Sequence, residues 1–201
     1  MASERRWGDP LVWTKAVESA DVASLTVAVG YRMGPDLRRR VAPEDIVQEA
    51  LLRAWQKRDS FEPRDGTSFR NWLLTIARNC VEDHRDAAHA LKRGGGAPQT
   101  EGGSAAAGNR PGEPEPWTST TPSRVAAARE RAEGMRRALD SLPEDCREVV
   151  RLRLFEELRI EEVGRLLGLG PETVRRRFRK GAELYRDRLA RELGGSEARG
   201  A

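Results

Sequence analysis

Histidine and cysteine, the usual carriers of metal and nucleophile chemistry, are nearly missing: the 201-residue chain has two of each. His84 and His89 do not have the spacing of a zinc pair on one helix face. Cys80 and Cys146 lie far apart with no pairing pattern, as expected of reduced thiols. No Ser-His-Asp or Cys-His arrangement suggests itself. No GxxxxGK phosphate loop is present, and the glycines at 94–96 open a loop rather than a helix. We therefore expect no catalytic residues, no metal site, no cofactor and no enzyme. Cys80 lies on an apolar stripe. Cys146 lies near a helix start, where a thiolate would be stabilised, so a redox role is weighed for it.

Long apolar runs are also lacking. The start, MASERRWGDPLVW, has no run fit for a signal peptide. Nothing approaches the roughly 18 apolar residues of a membrane span. A cytoplasmic protein without membrane insertion is the expectation. Aromatics make up only 5% of the chain. Alternating runs of β-branched and aromatic residues between turn signals are nearly absent, so the expected class is all-α.

What the chain has in quantity is charge. Charged residues make up 34% and apolar residues 38%, with a net charge of only +4. That balance suits small helical units joined by a flexible segment. The segment Arg93 to Pro122 is dense in Gly, Pro, Ser and Thr and has no periodicity. It reads as a disordered linker of about 30 residues, with a root-mean-square span on the order of 30 Å. Trp117 is its only aromatic, either a docking point or an incidental residue. The expected organisation is a helical bundle at 1–92, a linker at 93–122, a helix-turn-helix domain at 123–193 and a disordered tail at 194–201.

In the first half we expect about three helices. One runs near Val12 to Met33, ended by Gly30 and by Gly34-Pro35. A second starts at Pro43, with Glu44 and Asp45 near the positive end of its dipole. Its apolar stripe is Val47, Ala50, Leu51, Ala54 and Trp55. Its other face carries Asp45, Gln48, Glu49 and Gln56, with Leu52 among them, which suggests a protein-binding surface. A third is capped by Ser68 and buries Phe69, Trp72, Leu73, Ile76, Ala77 and Cys80.

In the second half a helix covers about Ser123 to Asp140. The next starts at SLPEDCREVV, with Ser141 or Leu142 near the cap and Pro143 in the first turn. IEEVGRLLG then forms a short helix whose Ile160, Val163 and Leu167 face inward. Gly168 supplies a left-handed C-cap, and Pro171 opens a long helix to about Arg191. This is helix-turn-helix spacing, which places the second helix in the DNA major groove. At 100° per residue Val174, Phe178, Gly181, Tyr185 and Leu189 share the core side. Arg176, Arg179, Lys180 and Glu183 fall opposite, with Arg175 and Arg177 flanking. Arginine there suits both guanine edges and phosphates.

Taken together, EDIVQEALLRAW, FRNWLLTIARNCVEDH, ALDSLPEDCREVVRLRLFEELRIEEVGRLLGL and TVRRRFRKGAEL resemble a bacterial RNA polymerase sigma factor of the extracytoplasmic-function group. The resemblance covers roughly Val41 to His89 and Arg124 to Leu189. It implies that Asp45, Gln48, Glu49 and Leu52 dock on the clamp helices of the polymerase's largest subunit. It implies that the loop Glu62 to Thr67, including Arg64, then Arg70, Asn71, Arg78 and Asn79, read the −10 element as single strand. A captured base needs a pocket, for which Phe61, Phe69 and Trp72 are candidates, although ordinary core suits Phe69 and Trp72 better. It implies −35 contacts at Thr173, Arg175, Arg176, Arg179 and Lys180. Core RNA polymerase and promoter DNA are the implied partners, an anti-sigma factor is expected for the family, and the free chain is expected to be a monomer. Gly164 stands where the family usually has alanine, and VEDHRD is acidic for a helix near DNA. A stand-alone helix-turn-helix regulator and a degenerate sigma-like interaction module stay open as alternatives.

Overall fold

The computed structural model describes residues 9–62, 68–92 and 122–197. Every regular element among them is helical. The loop residues 63–67, with Arg64, and residues 93–121, with Trp117, lie outside the described residues.

The first expected helix is two. α1 spans Pro10–Ser19 and opens at Asp9, whose carboxylate accepts the Leu11 N–H at 2.8 Å. α2 spans Val22–Arg38. The break between them is Asp21, a left-handed residue at φ 51° that caps α2. Gly30 does not end α2. It lies buried within it beside Pro43 of the next helix, where an added Cβ would make only an ordinary contact, 3.5 Å from Pro43 Cγ. Gly34, at φ 71° and ψ 171°, does kink the chain before Pro35.

α3 spans Pro43–Gln56 and is followed by a 3-10 turn, Arg58–Ser60. α4 spans Phe69–Lys92. Ser68 caps it as expected, accepting the Asn71 N–H at 3.0 Å. Trp13 of α1 is buried edge-on against Trp55 of α3 and Phe69 of α4, with ring centroids 5.3 Å apart in both pairs. Ile46, Ala50 and Ala54 of α3 pack towards Leu73, Ala77 and Cys80 of α4 in the same core.

α5 spans Pro122–Asp140 and α6 spans Glu144–Val150. Pro143 is the cap of α6 rather than a first-turn residue, and its carbonyl accepts the Cys146 and Arg147 N–H groups. A π-helical turn at Arg151–Phe155 follows, which the periodicity did not announce. α7 spans Ile160–Leu167 and ends on Gly168 at φ 64°. α8 spans Pro171–Glu197. It therefore continues through residues 194–197, where the sequence predicts the start of a disordered tail. Packing extends it: Leu193 Cδ2 would lie only 3.2 Å from a Cβ at Gly134 of α5, and Glu192 pairs with Arg137 at 2.7 Å.

The two halves share a core. Ala132, Met135, Ala138 and Leu139 of α5, with Phe155 and Tyr185, join the cluster that holds Leu25, Val29 and Leu74. A smaller core of Val149, Leu152, Val163 and Val174 belongs to the second half alone. Burying one leucine contributes about 1.5–3 kcal/mol, against about 0–1 kcal/mol for an exposed ion pair. The apolar seam between α2 and α5 is therefore what holds the halves together, and the ion pairs at its edge fix their register.

Candidate nucleic-acid interface

α7 and α8 form the helix-turn-helix. Ile160, Val163 and Leu167 face inward as expected, with Leu169 of the turn packed beside them. The Glu162 carboxylate accepts the Arg159 N–H at 2.6 Å, which fixes the start of α7. Gly164 has a more local reason than the approach of α8. A Cβ there would stand 2.7 Å from the Leu169 carbonyl oxygen, so glycine permits the tight turn itself.

α8 has the two faces expected of it. Val174 and Tyr185 are buried and Phe178 is half-buried, while Gly181 lies against α6. Arg175, Arg176, Arg179 and Lys180 are exposed near the N-terminal end, and Thr173 is half-buried beside them. Glu172 Oε2 holds Arg175 Nη1 at 3.3 Å. Four cationic side chains on one exposed helix face can meet base edges and phosphates together.

On α3 the expected protein-binding face is brought together. Asp45 and Gln48 are exposed, and Leu52 is 44% exposed. Glu49 is half-buried and already engaged. It accepts from Arg53 and lies 2.9 Å from His84 Nε2, while Arg53 also bonds Asp83 of α4. The VEDHRD segment thus spends Asp83 and His84 on bracing α3.

The −10 candidates divide. Asn79 is exposed and Asn71 half-buried. Arg70 retains only 12% of its side-chain exposure and Arg78 25%. Both are held by the second half, through Glu157 and Glu156 respectively. Burial, its largest influence, lowers the Arg78 guanidinium pKa against the opposing charge of Glu156. Phe61 is buried, edge-on to Phe69 and tilted against Trp72 at 5.6 and 5.0 Å between centroids, so the three pack together as a wall of the core. Arg32, Glu156 and Glu157 were not singled out from the sequence. No local signal marks them, because their partners lie across the chain.

Both cysteines are buried free thiols. Burial pushes Cys80 up to about 11. Burial and then the Asp145 charge push Cys146 up as well. The stabilised thiolate weighed for Cys146 is therefore reversed, because the thiol is buried where Gly181 of α8 crosses it and has the Asp145 carboxylate beside it. Among the described residues no three His, Cys, Asp or Glu side chains are grouped to hold a metal ion. No described helix is long and apolar enough to cross a membrane.

α7 and α8 thus form a helix-turn-helix with an exposed arginine face, joined to a second helical unit. Residues 21–89 match the model of Sigma-70 region 2, and residues 132–183 match that of Sigma-70 region 4. RNA polymerase sigma factor CarQ of Myxococcus xanthus is 30% identical over 157 residues, 76% of this chain and 78% of that one. The ECF RNA polymerase sigma-E factor of Escherichia coli K12 is 29% identical over 145 residues, 72% of each chain. The probable RNA polymerase sigma factor RfaY of Xanthomonas campestris pv. campestris is 32% identical over 148 residues. That match covers 74% of this chain but only 34% of RfaY's length. Among solved structures, CnrH in complex with the cytosolic domain of CnrY aligns over 94% of this chain and 91% of that one, at 22% identity and a TM-score of 0.35. The chain belongs to the RNA polymerase sigma factor family, in its extracytoplasmic-function group. It is a promoter-recognition factor rather than a member of an enzyme family.

Proposed function

We propose that the chain divides its work between its two halves, joined by the linker at 93–122. The first, 1–92, docks on core RNA polymerase through Asp45, Gln48, Glu49 and Leu52. It reads the −10 element as single strand through Arg64, Arg70, Asn71, Arg78 and Asn79. The second, 123–193, reads the −35 duplex through Thr173, Arg175, Arg176, Arg179 and Lys180. The linker raises the local concentration of one DNA site once the other is engaged. The free chain is a monomer in the cytoplasm, where polymerase is, and an anti-sigma partner holds it in reserve.

The observation that carries this reading is the two-faced α8. Its apolar side is sealed against α6 and α7, which leaves Arg175, Arg176, Arg179 and Lys180 no structural duty within the core. The test is selection of duplex DNA from a random library by core polymerase carrying the chain. Two conserved blocks, the upstream one lost with Arg176→Ala, are the expected product. Enrichment of a single palindromic site bound without polymerase would contradict it.

A further inference from the structure

Small residues bring α3 and α4 close together. Ala50 and Ala54 of α3 are buried in the same core as Ala77 and Cys80 of α4. One turn beyond Cys80, Asp83 and His84 reach the outer side of α3. There four side chains form one line of bonds. Arg53 Nη1 donates to Asp83 Oδ2 at 2.5 Å. Arg53 Nη2 donates to Glu49 Oε1 at 2.5 Å. Glu49 Oε2 lies 2.9 Å from His84 Nε2. A carboxylate only accepts, so the imidazole carries a hydrogen on Nε2.

This arrangement holds Glu49 more firmly than its place on α3 requires. Arg53 follows Glu49 by four residues, and that pair alone would be an ordinary helix-surface contact that leaves both side chains loose. Here the guanidinium fork is spread across two helices, with one Nη on each carboxylate. The second Glu49 oxygen is taken by a residue of α4. Both oxygens are therefore tied, yet the group stays accessible: Glu49 keeps 34% of its side-chain exposure and His84 33%. A carboxylate has room for about four hydrogen bonds, so each oxygen can still accept from an outside donor. Asp45, Gln48 and Leu52, on the same side of α3, are exposed.

Resting on the reading of Glu49 as a polymerase contact, we propose that His84 and Arg53 are positioning residues for docking, which set the Glu49 carboxylate in its bound orientation before polymerase arrives. A glutamate free on a helix surface loses rotamer freedom when a partner fixes it, and that loss weakens binding. In this chain α4 has already removed that freedom in the folded state. Arg53 acts by shape as well as charge. A lysine ammonium lacks the planar fork that meets Glu49 and Asp83 at once. Asp83 anchors the far end of that fork. The acidic VEDHRD segment thereby gains a task unrelated to DNA, because its Asp83 and His84 serve the polymerase-facing side of α3. Docking then depends on two residues of α4 that need not touch polymerase themselves.

The test titrates the full chain, labelled with a fluorophore, with core RNA polymerase and reads affinity by anisotropy. His84→Ala should weaken binding severalfold, up to about tenfold, the range expected when one side chain must be ordered on docking. His84→Gln, whose amide nitrogen reaches the place of Nε2, should restore the affinity. In a Glu49→Ala background His84→Ala should do nothing more, because no carboxylate is left to position. Arg53→Lys keeps the charge and loses the fork. It should weaken binding too, and it gives a second answer if His84→Ala does not fold. Wild-type affinity in both His84→Ala and Arg53→Lys would overturn the proposal. So would a His84→Gln variant as weak as His84→Ala. An equal loss from His84→Ala with and without Glu49 would also overturn it, since the cluster would then be a structural brace alone. Glu49→Ala separates this proposal from the reading beneath it. If Glu49→Ala binds as tightly as the wild type, the docking role of Glu49 has failed and the proposal with it. If Glu49→Ala weakens binding while His84→Ala and Arg53→Lys do not, only the positioning has failed.

Discussion

Gly181 of α8 crosses α6 so closely that a Cβ there would stand 2.5 Å from Val150 Cγ2 and 3.0 Å from Cys146 Cβ. The crossing presses α8 against the rest of its domain. Val150 is β-branched and fully buried, so it has little room to yield. Gly181→Ala should therefore destabilise the protein. The clash costs about 1–3 kcal/mol, against a gain in helix propensity of about 1 kcal/mol. Chemical denaturation measures the balance, and an unchanged or raised midpoint would mean that α6 and α8 can separate.

The exposed face of the same helix makes the opposite prediction. Arg176→Ala or Arg179→Ala should leave the denaturation midpoint within about 0.5 kcal/mol of the wild type, since both side chains are exposed. The −35 affinity of the holoenzyme should fall by about 1–3 kcal/mol where a base contact is lost. A contact to phosphate alone would instead weaken binding to all sequences and reduce its salt dependence. Unchanged affinity in both variants would move the DNA face elsewhere.

α8 was legible because its burial is one-sided: Val174, Phe178 and Tyr185 repeat at helical spacing against an arginine background. α3 was legible for the same reason, down to the exposed Leu52. α2 was not. From Ala23 to Gly30 every residue is buried, because α3, α4 and α5 surround it and leave no polar face to reveal its period. The break at Asp21 was hidden too, since nothing in the local sequence announces a left-handed aspartate. The contact between the halves was beyond the sequence altogether. It pairs Arg32, Arg70 and Arg78 with carboxylates about 80 to 120 positions away, and each partner taken alone reads as solvated charge.

Alkaline pH should weaken the fold. The Cys80 thiol would ionise near 9.0 in the unfolded chain but near 11 when buried, with desolvation the largest cause. Between those values the unfolded state releases a proton that the folded state retains. Stability is therefore fully present below about pH 9 and is lost as pH rises towards 11, at up to about 1.4 kcal/mol per pH unit. Cys146, the buried Tyr185 and the half-buried Tyr31, whose hydroxyl donates to Asp140, shift in the same direction. Urea midpoints from pH 8 to 11 test this. The decline should be shallower in Cys80→Ala, and a flat wild-type profile would show that the thiol ionises in place.

The docking proposed for the exposed face of α3 underlies the whole account, since promoter recognition by a sigma factor runs through polymerase. The direct measurement is co-elution of the purified chain with core bacterial RNA polymerase, with Leu52→Asp alongside and circular dichroism on both. The wild type should co-elute and the variant should not, with helical spectra that superimpose, because Leu52 lies on the open side of α3. A folded variant that co-elutes as well as the wild type, or a wild type that does not bind, would contradict the account.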